Sequence, residues 1–494
     1  MADWKGGIMR YEGALRVRFR PLWATLLVVL SAACSPAPAP VRSPAPVSPD
    51  IAIAGATLWD GTGRASVTNA VTLVRGDRIV CAGSAGECLI PKGARVVDAQ
   101  GQYLIPGLID SHVHLLFIVN GSVSEQLDLD LRDLLAQGVT TVRDMGGNPA
   151  VLLARVRGMG AAPRVYAMQL VAGRRFFYNG SDAYRASRST HGMAFHQPPA
   201  MTMQWMGWTP FMYTKDIDPD SVVRVARAAG AMGLKLYAQL DSVSVRRLVD
   251  AAHRAGMPVW GHAWVQPASV REQATAGQDG VVHAAGLAGE LYSADDRDTL
   301  VYDGDLQAAT AMAATPEAAH DPRILAALDT MARLGTMFEP TLDATRRSVA
   351  GFDMRSRHVP SLQEEYVRAA AGFGMEVTRE AVKRGVRISA GSDHVAVAPP
   401  TERATIFGEL QLYVDSIGLS PTAALLAATR DAARAIGGDA GKMIGTIEPG
   451  HYADLVLLSK NPQADIRNLE TVEWVMRGGV IWRPGQLRSG IAMR

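Results

Sequence analysis

Residues 104–114 read Leu104-Ile-Pro-Gly-Leu-Ile-Asp-Ser-His-Val-His114. The run is a candidate strand ending on two histidines two positions apart. Residues i and i+2 of a strand face the same side, so both imidazoles point into one space. From here the chain keeps one rhythm. Strands are expected at Leu104–His114, Val139–Met145, Arg164–Val171, Leu234–Ala238, Pro258–Ala263, Gly280–Ala284, Thr336–Leu342 and Arg387–Asp393. The segments between are Ala-rich with apolar residues three and four apart, as in Val222–Ala229, Val243–Ala255 and Ala423–Ala435. Strands alternating with helices in this order predict an α/β fold, a (β/α)8 TIM barrel over 106–446. An open doubly wound sheet is the rival, but no Gly-x-Gly-x-x-Gly follows an early strand to support its nucleotide site.

A barrel of this kind keeps its chemistry at the C-terminal ends of its strands. His112 and His114 end strand one. His262 ends strand five in Trp260-Gly-His-Ala263, His283 ends strand six in Val281-Val-His-Ala-Ala285, and Asp393 ends strand eight in Ala390-Gly-Ser-Asp393. Four of the 11 histidines fall on one rim, which scattered core histidines would rarely do. Imidazole nitrogen and carboxylate oxygen together are a zinc-type donor set. Strand four, Gly233-Leu-Lys-Leu-Tyr-Ala238, adds Lys235. A bare ammonium there is costly, because burial and cationic neighbours both disfavour its charge. As the carbamate it forms with carbon dioxide, the same side chain is an anion with two oxygens.

The set resembles the amidohydrolase superfamily over essentially all of Ile51–Pro484. The motifs that carry the resemblance are Pro106–His114, Gly391-Ser-Asp393 and Gly445-Thr-Ile-Glu-Pro-Gly-His-Tyr-Ala-Asp-Leu455. Within the superfamily the chain looks most like the imidazolonepropionase-related group that includes zinc dipeptidases cleaving Xaa-Pro. The resemblance implies two divalent metal ions, zinc, one held by His112, His114 and Asp393 and the other by His262 and His283. Lys235, carboxylated by carbon dioxide, is implied to bridge them. Mononuclear deaminases of the superfamily carry His-x-x-Glu after strand five, whereas Ala263-Trp-Val-Gln266 offers no Glu. The implied reaction is cleavage of the amide bond of a dipeptide or N-acyl amino acid by a hydroxide shared between the metals. Asp393 is the implied proton carrier and Tyr237 a donor to the carbonyl oxygen. The long segment 172–218 reads as a lid, and its Arg174 and Arg175, with Tyr237, are candidates for holding a substrate carboxylate. Hydrolysis of a cyclic amide or lactone is the alternative reaction, and a non-catalytic binding lipoprotein the alternative class.

The two ends of the chain differ in texture from the middle. Short β runs and turn dipeptides fill Ile51–Val97 and return at Asp454–Leu458 and Val472–Trp482, predicting one antiparallel β-sandwich domain from 51–105 and 447–490. Ahead of it, Arg16, Arg18 and Arg20 precede the apolar run Pro21–Ala33, the pattern of a secretory signal over 1–34. Leu30-Ser-Ala-Ala-Cys34 resembles a bacterial lipobox, with Ser31 where Leu is usual, and marks Cys34 for lipidation. Residues 35–50 read as a Pro/Ala-rich tether. The expectation is an exported bacterial protein, periplasmic or membrane-anchored, that meets the membrane only through its lipid. With three cysteines there is no disulfide scaffold. Cys81 and Cys88 are open to a hairpin disulfide or to two free thiols. Lys and Arg at 50 against Asp and Glu at 48 give a charge of +2, too balanced for a nucleic-acid partner. The expected partners are a small peptide-like substrate and further copies of the chain.

Overall fold

The computed structural model describes residues 51–489 apart from 117, 120–121, 124–125, 178–210, 300–312, 356–361 and 396–404. Cys34 and the sequence before Ile51 lie outside the described residues. Five short strands come first: β1 (Ile51–Leu58), β2 (Val67–Arg75), β3 (Arg78–Ser84), β4 (Arg95–Asp98) and β5 (Tyr103–Pro106). Gly76-Asp77 turns β2 into β3, and a Cys81–Cys88 disulfide ties β3 to the turn that follows. The chain then returns to the start of β1 and runs beside it in the same direction, so β4 and β5 both pair with β1 in parallel. The expected antiparallel sheet is therefore mixed.

Gly107 marks the passage to a second sheet. A Cβ there would lie 2.0 Å from the Thr140 hydroxyl, so the close approach admits glycine alone. Beyond it come β6 (Leu108–His114), a hairpin of β7 (Ile118–Val119) and β8 (Ser122–Val123), β9 (Val139–Asp144), β10 (Arg164–Gly173), β11 (Phe211–Tyr213), β12 (Gly233–Leu236), β13 (Val259–His262), β14 (Gly280–Val282), β15 (Met337–Glu339) and β16 (His394–Val395). They pair in the order β15-β14-β13-β12-β10-β9-β6-β16, every pair parallel, with β11 beside β10. The predicted eighth strand is an irregular segment. Ile388 bridges Phe338 of β15, and on the other side Ser111 N donates to Ala390 O and Asp393 N to His112 O. Held from both sides, this segment gives the sheet a TIM-barrel-like form.

Helices connect the strands, and their ends follow the local chemistry. In Ser242–Arg254, Asp241 accepts from Ser244 N as N-cap, and Val245, Leu248, Val249 and Ala252 form the buried stripe. The single helix expected over Ala423–Ala435 is two, Pro421–Ala427 and Arg430–Ile436. The break falls where Ala427 O accepts from Ala390 N and Ala428 O from Ile109 N. Those carbonyls serve the strands instead of the helix. The last strands, β17 (Leu455–Leu458), β18 (Val472–Arg477) and β19 (Val480–Trp482), join β5, so the mixed sheet reads β19-β18-β17-β5-β1-β2-β3. Its core includes Ile53, Leu104, Leu455 and Trp474. Arg164 of β10 pairs with Asp454 at 2.7 Å and stacks over Tyr452, tying one sheet to the other. Among the described residues no helix is long and apolar enough to cross a membrane.

A candidate metal centre at the strand ends

The strand ends on one rim carry backbone strain. Among the described residues six non-glycines have positive φ, and five of them are Gln239, Gln266, His283, Thr341 and Asp393, each just past a strand of the parallel sheet or in its eighth segment. Such conformations cost free energy and persist where the fold over-determines them, often at functional sites. His283 at φ 69° and Asp393 at φ 57° are two of the sequence-predicted ligands.

These residues meet. Ligand atoms of His112, His114 and Asp393 lie within 4.8 Å of one another. Oδ1 of Asp393 is 3.1 Å from Nε2 of His114 and 3.4 Å from Nε2 of His112. The ring of His283 is 4.8 Å from that of His112 and 4.6 Å from that of His262. Tyr237 stands 4.3 Å from the His262 ring, with Phe176 edge-on at its other side at 5.5 Å. Lys235, on β12, is fully buried and near enough for its charge to act on His112, His262, His283 and Asp393. Its Nζ and the Nε2 of His112 are buried with no hydrogen-bond partner among the described residues. Polar atoms are rarely left so, unless something else binds them.

The electrostatics fit a cation. Burial, and then the charge of Lys235, drives His112 and His262 well below the usual imidazole range. Burial likewise takes His283 down to about 3 against the pull of Asp393. Burial pushes Asp393 up, but the hydrogen bond with His114 and the nearby His283 and Lys235 prevail and hold it below the ordinary carboxylate value. Neutral imidazoles and an ionised carboxylate are the forms that bind metal. Burial, with Arg143 adding to it, brings Lys235 down to about 7 against the attraction of Glu339 and Asp393.

The remaining motif residues hold this rim together. Asp110, pushed up to about 7 chiefly by burial, accepts from Ser392 N at 2.9 Å and Ser392 Oγ at 2.5 Å, locking β6 to the Gly-Ser-Asp turn. Gly391 faces the same place, where a Cβ would lie 2.5 Å from Cβ of His112 and 2.7 Å from Cδ of Glu339. Sequence reasoning missed Glu339, Arg143 and Thr341. Glu339 Oε1 lies 3.0 Å from His112 Nδ1, and Thr341 Oγ1 lies 2.9 Å from His283 Nδ1. Burial pushes the Glu339 carboxyl up, and Arg143 at 3.1 Å opposes it. The available signal was a Glu closing the apolar run Met337-Phe-Glu339 and an Arg within the β-branched run Val139-Thr-Thr-Val-Arg143, where charged residues are buried only when paired.

The lid predictions fare differently. Arg174 opens a one-turn helix, Arg174–Phe177, and is exposed; the Arg175 side chain lies outside the described residues, as does the stretch 178–210 of the segment read as a lid. His394 is buried in β16.

A model of the Amidohydrolase family matches residues 103–481. Imidazolonepropionase of Symbiobacterium thermophilum is 26% identical over 418 residues, 78% of this chain and 82% of that protein. Ochratoxinase of Aspergillus niger is 30% identical over 146 residues, 29% of this chain, and the match spans 28% of that protein's length. The crystal structure of an Xaa-Pro dipeptidase with methionine bound in its active site superposes with TM-score 0.64 at 21% identity, covering 88% of this chain and all of the other. That likeness is one of fold.

Proposed function

Because the chain belongs to the amidohydrolase family, a family of hydrolases acting on carbon–nitrogen bonds, we propose that it is a zinc-dependent hydrolase of dipeptides or N-acyl amino acids. The observation that carries the reading is the meeting of His112, His114 and Asp393 within 4.8 Å, with the rings of His262 and His283 close by and Lys235 buried in the same strand layer. In this reading the first three would hold one zinc ion, His262 and His283 would hold the other, and Lys235, as its carbamate, would supply a carboxylate-like ligand to both. The amine adds to carbon dioxide, forming a nitrogen–carbon bond and releasing a proton. A lysine brought down to about 7 by burial supplies the neutral amine this step requires. When bound, zinc lowers the pKa of water and polarises the carbonyl under attack.

The protein's own groups do the rest. Asp393, ionised at neutral pH, takes the proton of the attacking water and passes it to the leaving nitrogen. Tyr237, beside His262, donates to the carbonyl oxygen as negative charge develops there. Arg174 and Arg175, at the start of the segment 172–218 that this reading takes as a lid, would offer guanidinium forks to the substrate carboxylate. The same reading takes the parallel sheet as a (β/α)8 barrel over 106–446 and the mixed sheet as a β-sandwich domain of 51–105 and 447–490. It also takes the chain as an exported lipoprotein acting as a homo-oligomer; the Cys81–Cys88 disulfide suits an oxidising compartment.

The test is metal analysis followed by a substrate panel on the zinc-loaded protein. Two equivalents of metal and release of free amino acids from dipeptides or N-acyl amino acids are expected. Turnover confined to lactams or lactones would replace the substrate class, and a protein that binds no metal would end the proposal.

A further inference from the structure

We propose that Glu339 is a positioning residue for the metal centre: it fixes the proton and the ring orientation of His112 before any ion arrives. This inference rests on the metal-site reading above. Glu339 ends β15, wholly buried, and its two oxygens have different duties. Oε2 accepts from Ser111 Oγ, from Arg143 Nη2 at 3.1 Å and from Ser389 Oγ at 3.2 Å. Oε1 faces His112 Nδ1 at 3.0 Å. The donors come from β6, β9 and the eighth segment, so strands distant in sequence clamp one carboxylate.

The chemistry of the acceptor decides the tautomer. Three donors on Oε2, the Arg143 guanidinium among them, oppose the effect of burial and favour the carboxylate, which only accepts, so the Nδ1 that faces Oε1 carries the hydrogen. The lone pair is then on Nε2, the atom that looks toward Asp393 at 3.4 Å and has no hydrogen-bond partner among the described residues. His283 differs. Its Nδ1 meets the hydroxyl of Thr341, which can give or receive and so fixes no tautomer alone. The clamp is itself anchored, because Arg143 donates to Ser111 O at 2.7 Å and Ala435 O at 2.6 Å and stacks over Trp260 at 4.1 Å. Carboxylate partners of this kind raise the affinity of a histidine for its metal.

Two variants of the full chain separate positioning from simple support. Glu339→Gln keeps size and an acceptor oxygen but loses the charge. Ser389→Ala removes one donor from the same carboxylate without touching His112. Zinc affinity, read by chelator competition alongside thermal midpoints, should fall about 10–100-fold in Glu339→Gln and stay within about threefold of the unsubstituted protein in Ser389→Ala. Unchanged zinc affinity in Glu339→Gln, or equal losses in both variants, would overturn the inference. An unsubstituted protein that takes up no zinc would instead overturn the metal-site reading. Should Glu339→Gln fail to fold, ring ¹⁵N spectra of the metal-free unsubstituted protein decide, with the His112 signal assigned by its loss in His112→Asn. A proton on Nδ1 supports the inference, and one on Nε2 refutes it.

Discussion

Asp393 has a left-handed backbone, φ 57°, and places Oδ1 3.1 Å from His114 Nε2. Asn tolerates that conformation as well as Asp does, so Asp393→Asn tests the carboxylate without adding strain. An amide can neither take the proton nor hold a cation as an anion does. Turnover should drop by roughly 10²–10⁴-fold, measured as kcat on the zinc-loaded enzyme; near-normal kcat would remove Asp393 from the mechanism. Lys235→Ala asks whether the bridge is a carboxylate. Metal content and activity should fall together, and acetate added with zinc should restore part of both by filling the vacated space. Two metals at full occupancy in the alanine variant without added acid would refute the carbamate. At this scale the cluster of His112, His114 and Asp393, with the His262 and His283 rings beside it, was legible, because each of these residues ends a strand-like run. Glu339 was not. Its partner His112 lies 227 residues away in sequence, and only a shared interior brings the two together.

Among the elements, the eighth segment does the most with the least regular backbone. Ser389 N donates to Phe338 O on one side and Asp393 N to His112 O on the other, while Tyr413 Oη reaches Ser389 O at 3.0 Å. Gly391 lies in its middle, against His112 and Glu339. Replacing it by Ala should cost about 1–3 kcal/mol, the usual toll of overpacking, and push His112 off its place. Denaturant unfolding and zinc stoichiometry should therefore both decline, and a Gly391→Ala protein as stable and as metal-rich as its parent would contradict the packing argument. Helix periodicity predicted Ser242–Arg254 to within a residue at each end, since its apolar stripe and its Asp241 cap are local. The division of Ala423–Ala435 was invisible, because the carbonyls of Ala427 and Ala428 are claimed by strands far away in sequence.

For the whole molecule, the chain must return to its beginning. β17 pairs with β5 and β18 with β17, so a chain ending after Leu458 loses β18 and β19 and bares the edge of β17. Trp474, Val475 and Met476, all buried, go with them. Such a truncation should aggregate or melt without a cooperative transition. A soluble, fully active product would show that the two ends do not depend on each other. Cys34→Ser should shift the expressed protein from membrane to soluble fractions, and membrane association that survives the change would end the lipoprotein proposal. Patterns short enough to be read along the chain were settled by sequence alone: alternating strands and helices, the histidines and the aspartate at the strand ends, and the Pro-Gly-Leu-Ile-Asp and Gly-Ser-Asp motifs. Tertiary structure decided what those patterns enclose. It chose the disulfide, the parallel run of β4 and β5 beside β1, the broken helix and the Glu339–Arg143 clamp. The disulfide joins residues only seven apart; each of the others depends on groups far apart in sequence satisfying one another's charge, hydrogen bonds or volume in a space that exists only once the strands have assembled.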